Sequence, residues 1–208
     1  RALGATAMIM LVLLAARLSP RPAFAAAFVG WNPLLAIHFA GGGHNDAWMM
    51  AFVLGALALA AAGRPFLAGL AWAAAIVIKW VPLLFLPLRL LEARKTGRRL
   101  DHRGLALGFV VIVTIATWRY GLEWAGATGP LATNLAEDRA WYAIPVRLAS
   151  LGLPEGAVAG VFAGAFAVAY LWLLREAWRG RARLALTAGL LLVCTSWLVP
   201  WYAVWAVP

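Results

Sequence analysis

Apolar residues run along this chain in long unbroken blocks, at about 2–16, 23–40, 47–62, 66–91, 104–118, 156–174 and 184–199. A bilayer-crossing helix needs about 20 predominantly apolar residues, so several blocks fall short of an ideal span. The blocks lack the alternating apolar and polar order of a barrel strand and are rich in alanine and leucine, which favour helix. Block 66–91 is long enough for two short arms, and Pro82 and Pro87 interrupt it, so it is read as a hairpin turning near Lys79 to Pro82. The pattern predicts an all-α, polytopic transmembrane helical bundle with about seven to eight membrane segments, forming a single transmembrane domain over residues 1–208 with no soluble domain. The chain opens at Arg1 and closes at Pro208 inside an apolar stretch, so a piece of a longer protein is expected. No basic leader precedes a small-residue cleavage site, and the first block is accordingly read as a span and not a signal peptide.

Composition sharpens the membrane reading. Of 208 residues, 64% are hydrophobic and 12% charged, and the mean hydropathy is +0.84, whereas a soluble domain is about half apolar and a quarter charged. The single cysteine, Cys194, lies in an apolar block and can neither pair within the chain nor build a metal site. The net charge of +10 sorts by loop. With the hairpin in place, one side receives Arg17, Arg21, Arg64, Arg94, Lys95, Arg98, Arg99, Arg103, Arg175, Arg179, Arg181 and Arg183 against Asp101 and Glu176. The other side receives Arg119, Arg139 and Arg147 against Asp46, Glu123, Glu137, Asp138 and Glu155. Lysine and arginine accumulate in short cytoplasmic loops, so the first side is expected to be cytoplasmic in a multi-pass plasma-membrane protein. The positive balance is then a topology signal, and no nucleic-acid partner is expected. The basic loops themselves read as solvated segments touching anionic headgroups. Segment 119–155 becomes an outer-face loop, with a short interfacial helix expected around Asn134 to Ser150, broken at Pro145.

That topology gathers the polar residues of the blocks on one face. "AGGGHNDAWMM", residues 40–50, brings His44, Asn45 and Asp46 to the head of a block; Lys79 and Trp80 sit at the hairpin turn, and Trp201 and Tyr202 near the end. An ionisable group at membrane depth costs about 2.5–3.5 kcal/mol on insertion scales, which marks such residues for function. Each also has a structural reading: Asn45 or Asp46 as a helix cap, Lys79 as a snorkelling anchor, Trp80, Trp201 and Trp205 as an interfacial aromatic belt, and Gly41 to Gly43 as a tight turn. A lysine beside a helix N-terminus and glycine-rich backbone suits a phosphate. A carboxylate such as Asp46 can take a proton from an attacking hydroxyl or help hold a divalent cation. The combination fits a phosphate at the membrane surface with a polar group above it, the shape of a polyprenyl-phosphate sugar. "GGGHND" lacks the lysine and serine or threonine of a nucleotide phosphate loop.

The run "NPLLAIHFAGGGHNDAWMMAFVLGALALAAAGRPFLAGLAWAAAIVIKWVPLLFLP", residues 32–87, resembles the central part of the GT-C superfamily of integral membrane glycosyltransferases, closest to the actinobacterial polyprenol-phosphate-mannose-dependent mannosyltransferases. The shared pattern is an Asn-Pro pair, a glycine-rich turn into His-Asn-Asp, a span, a short basic turn, and a span ending in lysine before a proline-bearing return. "AWYAIPVRLASLGLP", residues 140–154, and "SWLVPWYAVWAVP", residues 196–208, extend the resemblance. It implies transfer of a sugar, mannose above all, from a polyprenyl phosphate to a glycan or glycolipid acceptor on the outer face, with inversion. Superfamily members usually carry their principal acid in the first large outer loop, which here would lie upstream of Arg1. The resemblance then casts Asp46 as an acid assisting the acceptor or a cation. His44 and Lys79 become contacts for the donor phosphate, with Asn45, Trp80, Trp201 and Tyr202 beside them. No metal ligand set and no certain cofactor follow from it, and a divalent cation stays open. The rival class is a transporter, whose polar residues at broken helices would line a path at mid-membrane; a non-catalytic membrane protein is the third reading.

Overall fold

The computed structural model describes residues 2–42, 44–97, 102–126, 142–196 and 198–206. Among these residues the secondary structure is helical, without strands. Helix α1 spans Ala2–Leu18 and turns at 19–21 into α2, Pro22–Gly30. A short α3, Pro33–Leu35, runs into a π-helical turn, Ala36–Gly41. Then follow α4, Asp46–Ala61; α5, Pro65–Ile78; α6, Pro82–Thr96; and α7, His102–Tyr120. Helices α8, Glu123–Gly126, and α9, Ile144–Ser150, are short. The chain continues through α10, Glu155–Trp178, and α11, Leu184–Cys194, to a 3₁₀ helix, Pro200–Trp205.

Proline writes many of these boundaries. Helices α2, α3, α5 and α6 each carry proline in the first turn, where the missing N–H has no intrahelical partner to lose. The Asn-Pro pair is a helix start: Asn32 Oδ1 accepts from the backbone N–H of Leu34 at 3.1 Å and of Leu35 at 3.3 Å. Pro145 likewise lies in the first turn of α9, so it opens a helix where the sequence pattern suggested a break. The rest of the expected interfacial helix, residues 134–141, lies outside the described residues.

Span count is where the structure departs most from the pattern. Helices α7 and α10 are long and apolar enough to cross a membrane, and α2 with α3 makes a third candidate, bent by 51°. The other apolar helices are shorter. Helix α1 rises about 26 Å over its 17 residues and α11 about 17 Å over its 11, against a hydrocarbon core of about 30 Å. A count of seven to eight spans is therefore not supported. Prolines at the starts of α2, α3, α5 and α6 divide the apolar stretches there, and several of the helices fall below spanning length.

The directions of the helices follow from their contacts. Asp46 at the start of α4 meets Lys79 just past the end of α5, so these two helices form an antiparallel hairpin. Helix α7 lies on α5 through Gly104 and Gly108: a Cβ at 104 would strike the backbone of Phe66, and one at 108 would lie 2.6 Å from the Cβ of Ala73. Residue 104 opposes 66 and 108 opposes 73, hence α7 runs parallel to α5. Helix α6 must return from the Lys79 end to reach the start of α7. It does so against α10, not flat along α5 as a closed hairpin would. Tyr170 donates to the carbonyl of Leu84 at 2.9 Å, Leu88 packs with Leu173 and Ala177, and the Ala182 N–H donates to Glu92 Oε1 at 3.0 Å, so α6 and α10 are parallel. Buried among these elements, Trp72, Phe39, Phe85, Leu11, Leu35 and Met49 form the centre of the core.

The bundle thus has two chemically different ends. Asp46, Lys79, the end of α7 and the start of α10 share one. The α4–α5 turn, the end of α6 and the α10–α11 turn share the other, with Arg64, Arg94, Lys95, Arg179, Arg181 and Arg183. At that basic end the buried Glu176 takes Arg179 at 3.2 Å, Arg181 at 3.0 Å and Arg183 at 3.6 Å.

Candidate functional site

The site is built from the chain around the head of α4. The π-helical turn carries His38 and Phe39 at its middle, and Gly42 follows its end in a position where a Cβ would lie 2.6 Å from the His38 carbonyl oxygen. Single π-turns often mark functional positions in a helix. His44 folds back on this turn, its ring 5.8 Å from that of His38 and 6.5 Å, edge to face, from Phe39. Asn45 is exposed and its side chain makes no cap hydrogen bond to α4. The capping reading of Asn45 is thereby set aside.

Asp46 is the first residue of α4 and only 1% exposed. A bare carboxylate so placed would carry a desolvation penalty of several kcal/mol. Two donors converge on the same oxygen, Oδ1: the ammonium of Lys79 at 2.7 Å and the indole N–H of Trp205 at 2.8 Å. The positive pole of the helix N-terminus also favours the anion.

Lys79 reaches Asp46 because of how α5 ends. Its N–H still donates to Ala75 O at 3.1 Å, but its backbone then turns extended, and the chain leaves the helix with the side chain directed to α4. The Lys79 side chain keeps 25% of its surface exposed. The 3₁₀ helix lays two rings under the ammonium: Tyr202, 4.2 Å from ring centre to Nζ, and Trp205, 5.2 Å. These rings stack on each other at 4.0 Å. A cation over such faces gains about 0.5–2 kcal/mol, more as water is excluded.

Of the residues singled out from the sequence, Asp46, Lys79 and Tyr202 are brought together. His44 stands against the π-helical turn, and Asn45 beside it faces solvent. Trp80 is exposed, as a belt residue would be, and the side chain of Trp201 lies outside the described ones. Trp205 is the residue that sequence reasoning passed over as belt. Its only sequence signal was a tryptophan three places beyond Tyr202, one turn of a 3₁₀ helix. Among the described residues no three His, Cys, Asp or Glu side chains group to hold a metal. A divalent cation would therefore have to rest on Asp46 with oxygen atoms from elsewhere.

Residues 2–93 match the MptA_B family, described as alpha-(1->6)-mannopyranosyltransferase, N-terminal domain. No curated protein and no solved structure matches the chain. The matched stretch, a little under half of the sequence, contains His44, Asn45, Asp46, Lys79 and Trp80, but neither Tyr202 nor Trp205.

Proposed function

The match over residues 2–93 supports a mannosyltransferase of the actinobacterial type, and on that premise we propose that the chain moves mannose from a polyprenyl-phosphate donor to a glycan or glycolipid acceptor. The reaction is placed at the extracytoplasmic face of the plasma membrane and inverts the anomeric carbon. The observation that carries this reading is the Asp46–Lys79 pair at one end of the helices, within the matched residues. In such a transfer an acceptor hydroxyl attacks the anomeric carbon while its bond to the phosphate oxygen breaks. The hydroxyl proton passes to a carboxylate. The departing polyprenyl phosphate, a monoester, carries one more negative charge than it did as a diester.

A fixed cation near that oxygen stabilises charge that develops in the transition state, with no reorganisation at the moment of reaction. Lys79 is proposed for this role, since its ammonium is partly exposed while its stem is anchored at the end of α5. A donor phosphate draws Lys79 from Asp46, and the carboxylate then assists the acceptor or a divalent cation. His44 supplies a second contact for the phosphate, and Asn45, Trp80, Trp201 and Tyr202 border the sugar and the prenyl chain.

The test is sugar transfer by the full-length protein reconstituted in lipid, with polyprenyl-phosphate mannose as donor. Asp46→Asn keeps the shape and removes the charge, and is expected to fold while losing at least about tenfold in kcat, on the scale of a positioned acid or base. Lys79→Met is expected to raise the donor KM more than the acceptor KM. Undiminished transfer by both variants would return the pair to a structural role.

A further inference from the structure

The structure assigns Trp205 to this site as the residue that positions Asp46. Three observations carry the assignment, which rests on the reading of Asp46 and Lys79 given above. The indole N–H donates to Asp46 Oδ1 at 2.8 Å across a separation of 159 residues, with both side chains buried. The acceptor is the same oxygen that holds Lys79. The indole face, stacked on Tyr202, also forms one wall of the aromatic corner around the Lys79 ammonium.

A tryptophan of an interfacial belt looks different. Trp31 and Trp118 are 86% and 84% exposed, whereas Trp205 is 5% exposed and spends its only donor on a carboxylate. An indole N–H only donates, and its hydrogen bond to an ionised carboxylate is stronger than one to a neutral acid. Its consequence for the transfer follows directly. When a phosphate draws Lys79 away, Asp46 loses its ion pair but keeps a charge-assisted hydrogen bond. Trp205 thereby keeps the carboxylate aimed at the moment it is exposed to the acceptor. The C-terminal 3₁₀ helix, outside the matched residues 2–93, becomes a working part of the site, and Tyr202 within it the second wall for the cation.

Trp205→Phe removes the N–H and retains an aromatic wall. In the full-length protein in lipid it is expected to lower kcat about tenfold with the acceptor KM within about twofold, the size of one lost charge-assisted donor. A structural role alone predicts a lower Tm with kcat per folded molecule unchanged, and that result would overturn the assignment. A second measurement needs no activity. The Tm cost of Trp205→Phe is measured in the native chain and in a chain carrying both Asp46→Leu and Lys79→Met, which removes both charges together. Coupling through Asp46 predicts a loss of several degrees in the first background and little in the second. Equal losses in both would sink the proposal. Should the native chain transfer no mannose, the functional reading fails by itself, and the stability cycle still decides whether Trp205 acts through Asp46.

Discussion

Asp46 illustrates how one buried charge organises its neighbours. Its carboxylate has left water at the head of α4, where an ammonium, an indole N–H and a helix terminus surround it. Removing one member of such a buried set strands the others, which costs more than the intact pair contributes. Asp46→Ala, which leaves the Lys79 ammonium over two rings with no counter-charge, is expected to destabilise the fold by about 3 kcal/mol. That is the low end for a broken buried pair, because a quarter of Lys79 is still solvated. The combined Asp46→Leu and Lys79→Met change should recover a good part of that loss. Thermal unfolding in detergent, followed by circular dichroism, checks the order. A double variant less stable than Asp46→Ala would contradict it.

At the scale of elements, glycine decides how closely α7 approaches α5. Gly108 faces Ala73 so closely that a Cβ would lie 2.6 Å away, while Gly160 on α10 has open space around it. Helix contacts inside a membrane rest on such close backbone approach, since apolar side chains gain little by leaving lipid for protein. Gly108→Leu is expected to push α7 off α5 at a cost of about 1–3 kcal/mol or more, as overpacking does. Gly160→Ala should instead be neutral or stabilising by up to about 1 kcal/mol, because it only improves helix propensity. Midpoints of chemical unfolding for the two variants measure the difference. Equal effects would mean that α7 does not seat on α5 through these glycines.

For the whole molecule, the distribution of charge is the dominant feature. The turns bearing Arg64, Lys95 and the Arg179–Arg183 cluster lie at the end opposite Asp46 and Lys79. Under the proposed membrane topology the basic end is cytoplasmic. Single cysteines at Lys95 and at Glu155, introduced after Cys194→Ser, should react with an impermeant thiol reagent from opposite sides of sealed vesicles. Labelling of both from one side would refute the topology while leaving the fold intact.

Helix content and the segregation of arginine and lysine into particular turns were legible in the sequence, as were His44 to Asp46 and Lys79 as candidates, because each is a local property of residue type and order. Ala- and Leu-rich blocks favour helix wherever they are placed, and an ionisable residue inside them is conspicuous by its cost. Span count was less legible. Helix α11, for example, ends at Cys194 with Thr195 already extended, inside a block that looks continuous to a hydropathy reading. The return of α6 against α10, away from α5, depends on Leu88 finding Leu173 and Ala177 about 85 residues later and on the hydrogen bonds from Tyr170 and Ala182, contacts that only the tertiary fold makes. The completed site belongs to the tertiary structure. Nothing near Asp46 in the chain marks Trp205 as its donor or Tyr202 as the wall behind Lys79, because hydrogen bonds and cation–π contacts are fixed by distances of a few ångströms. Only the folded path of the chain could bring residue 205 within 2.8 Å of residue 46.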